Sequence, residues 1–91
     1  SFGKLDSLIF VSPISDKKLT NNDSVIFCWK PGLPNATFIV IKSAKNNSVV
    51  YKEKIIQGRH FFYLENNFLP AGEYWWYLEG FKTKGYFKIV K

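Results

Sequence analysis

Ninety-one residues suffice for one hydrophobic core and are too few for two, so 1–91 reads as a single domain. Aromatic residues make up 19% of the chain, and each one buried removes about 150–250 Å² from water, so a short chain can fold here without covalent staples. Thirteen Lys and Arg against seven Asp and Glu give a net charge of +6, but Arg59 is the only arginine and the lysines scatter over turns and strand ends, which argues against a nucleic-acid partner.

Short apolar runs separated by turn residues recur along the chain, the pattern of an all-β sandwich or barrel. Leu8 to Ser12 is the first run and stops at Pro13, which has no N–H for a ladder. Asn21-Asn22-Asp23 marks a turn, Ser24 to Lys30 is the second run, and Pro31-Gly32-Leu33-Pro34-Asn35 breaks the chain. Thr37 to Ser43 is the third run, joined through Lys45-Asn46-Asn47 to the fourth, Ser48 to Ile55. Gln57-Gly58 precedes the fifth, Arg59 to Glu65. Asn66-Asn67 and Pro70-Ala71-Gly72 form a longer crossing into the sixth, Glu73 to Glu79, and Gly80 and Gly85 bracket the hairpin into the seventh, Lys84 to Val90. No stretch carries a capped 3.6-residue period, so no substantial helix is predicted. Within the runs, alternation sets Val25, Phe27 and Trp29 against Ile26, Cys28 and Lys30, and Tyr74, Trp76 and Leu78 against Trp75, Tyr77 and Glu79. Phe38-Ile39-Val40-Ile41 is apolar on both sides, as a central strand would be.

Two features together resemble the immunoglobulin-like and fibronectin type III-like sandwiches. Trp29 ends an alternating second strand just before a Pro-Gly turn, and Leu69-Pro70-Ala71-Gly72-Glu73-Tyr74 leads straight into Trp75-Trp76-Tyr77. The latter segment resembles the tyrosine corner, in which a Tyr early in the sixth strand bonds back to the preceding crossing; Leu69, Gly72 and Tyr74 are its expected structural residues. Its spacing is closer to versions in bacterial envelope proteins than to fibronectin type III itself. The ending from Lys84 to Lys91 is also similar to the tails of bacterial C-terminal secretion-sorting domains, although the Asn/Gly/Asp-rich opening of those families is absent. The resemblance implies a seven-stranded antiparallel immunoglobulin-like β-sandwich in a periplasmic, cell-surface or secreted protein. The chain begins without Met, and the expectation is a domain excised from a longer protein.

The residues supply little chemistry. Cys28 is the only cysteine, so neither an intrachain disulfide nor a thiolate metal cage is expected. His60 is the only histidine and sits in an apolar run beside Phe61, without a nucleophile or orienting acid near it in sequence. Asp6, Asp16, Asp23, Glu53, Glu65, Glu73 and Glu79 lie at turns and strand ends and form no paired motif. Calcium loops and phosphate-cradling glycine loops are absent from the sequence, so no cofactor, no metal and no enzymatic activity are expected. Asn22-Asp23-Ser24, Asn35-Ala36-Thr37 and Asn46-Asn47-Ser48 fit the glycosylation rule but read better as turns. Apolar stretches such as Leu8 to Val11 are four or five residues, against about 18–20 for a membrane span; no leader is visible.

The surplus is aromatic. With Tyr74, Trp76 and Leu78 inward, Trp75 and Tyr77 face outward beside Tyr86, and Ile39 and Ile41 join them if the third, sixth and seventh strands are neighbours. Such a face is larger than monomers usually leave in water. The expected function is therefore a non-catalytic interaction or spacer module contacting a neighbouring domain or a protein partner. The alternatives are a carbohydrate-binding module stacking sugars on those rings, a C-terminal sorting domain, or the reverse orientation with Trp75 in the core.

Overall fold

The structure, a computed structural model, describes residues 8–12, 17–20, 24–65 and 69–90, with only the backbone of Lys17 and Lys18. These residues form eight strands and no helix: β1 Ile9–Ser12, β2 Lys17–Thr20, β3 Val25–Lys30, β4 Thr37–Ser43, β5 Val49–Ile55, β6 Phe61–Leu64, β7 Gly72–Leu78 and β8 Lys84–Val90. They build two sheets, a three-stranded one in the order β1-β3-β6 and a five-stranded one in the order β2-β8-β7-β4-β5. The turn at 21–23, Asn66-Asn67, and Asp6, Asp16 and Asp23 lie outside the described residues.

The alternation predicts seven antiparallel strands; the described chain has eight, and the additional strand β2 runs parallel to β8, with Leu19 opposite Ile89. The reason is compositional. Lys17-Lys18-Leu19-Thr20 holds one apolar residue, so it shows no alternation, and its strand state comes from the β8 edge it pairs with. The other strand pairs are antiparallel. The fifth run is also shorter than predicted. The Arg59 and His60 carbonyls leave the ladder to accept from the Leu33 and Trp29 backbone N–H groups at 2.9 and 3.1 Å. A Cβ at Gly32 would stand 2.4 Å from the Gly58 carbonyl oxygen, so this junction closes only around glycine.

One hydrophobic cluster spans both sheets. Its centre is Trp76, fully buried, with Phe10 stacked on its indole at 4.1 Å, Phe27 edge-on at 4.9 Å and Trp29 tilted at 6.0 Å. These three rings reach it from the opposite sheet, so the two layers are joined by aromatic packing. Gly85 lies directly opposite Trp76 in the β7–β8 register, and the missing side chain there leaves the inner face to the indole. Trp29 is equally enclosed, and its Nε1–H donates to the Arg59 carbonyl at 2.9 Å, so its one polar atom is satisfied.

The crossing from β6 to β7 ends as the motif predicts. The Tyr74 hydroxyl donates to the Pro70 carbonyl at 2.6 Å, while its ring lies buried against Phe87 at 5.5 Å. Burial raises the Tyr74 pKa above its ordinary value, which keeps the hydroxyl a donor. Leu69 is buried below the turn, and Gly72 holds φ at +154°, a conformation that favours glycine.

Candidate functional site

Two outer faces remain once the core is filled, and they differ in kind. On the five-stranded sheet, the β7–β8 register puts Trp75 opposite Tyr86 and Glu73 opposite Lys88, while the β4–β7 register puts Lys42 opposite Trp75 and Val40 opposite Tyr77. Trp75, Tyr77 and Tyr86 therefore share the outer face, each partly exposed, and Trp76 is the buried tryptophan. Ile39 and Ile41 require a correction. The same register pairs them with Leu78 and Trp76, both are fully buried, and they belong to the core. The outward residues of β4 are Phe38, Val40 and Lys42. A run apolar on both sides carries no alternation, so its phase is set by pairing with its neighbours β5 and β7.

This face is not bare. Trp75 and Tyr77 stack on each other at 5.7 Å. The Lys84 ammonium lies 4.4 Å from the Trp75 centroid, and the Lys42 ammonium lies 5.3 Å from Trp75 and 5.8 Å from Tyr77. Each such contact stabilises by about 0.5–1 kcal/mol at an exposed site, and the lysine stems cover ring area that would otherwise meet water. Tyr86 donates to Glu73 Oε1 at 2.6 Å, Lys88 lies 3.9 Å from Glu73 Oε2, and Lys52 pairs with Glu79 at 3.2 Å. Around Trp75, Tyr77, Phe81 and Lys42, Lys82 and Lys84 the surface sinks into an open depression of about 440 Å³ with no carboxylate among the described residues of its lining.

On the three-stranded sheet the outer face is largely apolar, with the exposed Lys30 opposite Ile9 in the β1–β3 register. Ile9 is 61% exposed, Val11 48%, Ile26 50%, Phe61 39% and Tyr63 51%. The registers place Ile26 opposite Tyr63 and Cys28 opposite Phe61 in one patch across β3 and β6, and Ile9 and Val11 on β1 extend it on the other side of β3. Arg59 lies over the Phe61 ring at 4.8 Å, and the Tyr63 hydroxyl shares a 2.8 Å hydrogen bond with Ser24 Oγ; the aliphatic side chains have no such cover among the described contacts. Sequence reasoning puts Ile26 and Cys28 on the side opposite the core, yet only the sheet order shows that β1 and β6 extend the same face.

His60 is exposed, with its ring edge-on to Phe61 at 5.6 Å, and Cys28 is partly exposed. Asn46 holds its turn by accepting from the Ser48 backbone N–H at 3.2 Å and from Ser48 Oγ–H at 2.7 Å, the turn role expected of it. Asn35 lies in an exposed bend, and Asn22 is outside the described residues. Another depression, of about 240 Å³, lies at the open side between β5 and β6, where Tyr51 donates to Glu53. Desolvation, then that hydrogen bond and the Glu53 charge, push the Tyr51 pKa up to about 12. No described helix is long and apolar enough to cross a membrane. Comparison of the chain with protein-family models, curated proteins and solved structures finds no significant match.

Proposed function

We propose that this chain is a non-catalytic interaction module of a larger periplasmic, cell-surface or secreted protein, with an immunoglobulin-like sandwich as its scaffold. The topology supports the scaffold. Strands β1, β3 and β6 lie in one sheet and β4, β7 and β8 in the other, the division by which such sandwiches separate A, B and E from C, F and G, and Tyr74 makes the corner bond.

The observation that carries the functional reading is the apolar outer face of the three-stranded sheet. Three strands about 4.8 Å apart, of four, six and four residues, span a footprint of roughly 230 Å². A free-standing complex needs about 800 Å² from each partner, so this patch is too small to hold an untethered protein. It suffices for a neighbouring domain of the same polypeptide, where the linker supplies the effective concentration. The partner is therefore a tethered domain presenting an apolar surface.

Ile26→Lys tests this. In the 91-residue chain the new side chain points to solvent and changes stability by less than about 0.5 kcal/mol. In the longer polypeptide it lowers the thermal midpoint by several degrees as the domains separate. Unchanged midpoints in both forms would overturn the proposal, and so would equal losses in both.

The carbohydrate reading has weaker support, because Lys42 and Lys84 already sit against the Trp75 ring on which a neutral sugar would stack.

A further inference from the structure

We propose that the depression over the middle of the five-stranded sheet is an additional binding site, for an acidic polypeptide segment whose carboxylates bridge Lys42 and Lys84. Lys42 and Lys84 converge there around Trp75, Tyr77 and Phe81, and among the described residues no carboxylate lines the depression. The nearest glutamates are committed elsewhere, Glu73 to Tyr86 and Lys88, and Glu79 to Lys52. The described partners of the Lys42 and Lys84 ammoniums are aromatic rings. A ring takes up one side of an ammonium and leaves N–H donors for an incoming acceptor, so these lysines are held in place before a ligand arrives.

The same arrangement selects among anions. A pyranose or a nucleobase gains affinity by lying on an aromatic face, and at Trp75 it would first have to displace ammonium groups. A carboxylate displaces nothing, because it approaches the side of each lysine turned away from the ring. The depression is open rather than enclosed, so it suits an extended segment passing across β4, β7 and β8 more than a small molecule. Lysines act as separate point charges without the fork of arginine, which fits several spaced carboxylates better than one phosphate.

The test is a titration of the 91-residue chain with a six-glutamate peptide, followed by tryptophan fluorescence. Trp29 and Trp76 are almost wholly enclosed, so Trp75 is the fluorophore that responds. Saturable binding is expected, weakened at least tenfold between about 20 mM and about 300 mM NaCl as the charges are screened. The double variant Lys42→Gln/Lys84→Gln should weaken it at least fivefold, whereas Lys30→Gln/Lys45→Gln, which removes the same charge elsewhere, should change it less than twofold. Equal losses in the two double variants would overturn the proposal. It would also fall if the wild-type chain did not bind the peptide, or bound a hexagalacturonate, a six-nucleotide thymidylate or neutral laminarihexaose more tightly.

Discussion

The two outer faces of this molecule use aromatic and aliphatic residues in opposite ways. On the five-stranded sheet Trp75, Tyr77 and Tyr86 are each partnered, by lysine ammoniums or by Glu73, and none is more than partly exposed. On the three-stranded sheet Ile9, Val11 and Ile26 stand about half exposed or more, on strands too narrow to cover one another. Trp75, Tyr77 and Tyr86 are thus better protected than these smaller aliphatic residues. Aromatic rings have polar faces that attract cations, so a basic protein can cover them with its own lysines. Aliphatic side chains offer no such handle, and burial against another apolar surface is the only stabilisation open to them. The conspicuous residues of the sequence are therefore not the ones that most need a partner.

The comparison can be broken most sharply at the two adjacent tryptophans. Trp76→Ala empties the centre of the aromatic cluster and should cost about 3–5 kcal/mol, a large share of the stability of so small a domain. Trp75→Ala loses partial packing and the lysine contacts and should cost under about 1–2 kcal/mol. Urea unfolding midpoints of the two variants decide it, and equal losses would mean that the outer aromatic face is part of the core. A smaller effect is expected at the corner. Tyr74→Phe keeps the ring against Phe87 and leaves the Pro70 carbonyl without its donor, a loss of about 1 kcal/mol by the same measurement.

The smallest effect is a pH dependence at the open side of the sandwich. The Tyr51 pKa is raised from 10.0 to about 12 in the fold, so the folded state holds a proton that the unfolded chain releases. Its contribution is present in full below pH about 10 and is lost as pH rises toward about 12. The stability difference between the wild-type chain and Tyr51→Phe should therefore shrink or change sign between pH about 9 and about 11. A constant difference would mean that Glu53 and burial do not hold the proton.

Much of this arrangement is legible in the sequence, and the illegible parts share a cause. Val25-Ile26-Phe27-Cys28-Trp29 and Tyr74-Trp75-Trp76-Tyr77-Leu78 alternate cleanly enough to assign each side chain to a face, and Pro70, Gly72 and Tyr74 announce the corner. Phe38-Ile39-Val40-Ile41 has no polar phase, so Ile39 and Ile41 look as exposable as Val40 until Leu78 and Trp76 are found opposite them. Val40 is itself buried on the outer side, between Tyr77 and Lys52 in the ladder, where long neighbours cover it. Strand β2 escapes notice because it takes its strand state from β8, some seventy residues away. The apolar patch is a property of sheet order, since Ile9, Ile26 and Phe61 come from three separate runs. What alternation encodes is local, and what it omits is which strands are neighbours.

The central claim, that the apolar face of the three-stranded sheet is covered in the working protein, has a reporter in place. Cys28 is the only cysteine of the chain, partly exposed and opposite Phe61 within the patch. Its alkylation by iodoacetamide should proceed readily in the 91-residue chain and at least tenfold more slowly in the proposed longer polypeptide, with Ile26→Lys restoring the fast rate. Equal rates in the 91-residue chain and the longer polypeptide would contradict the account.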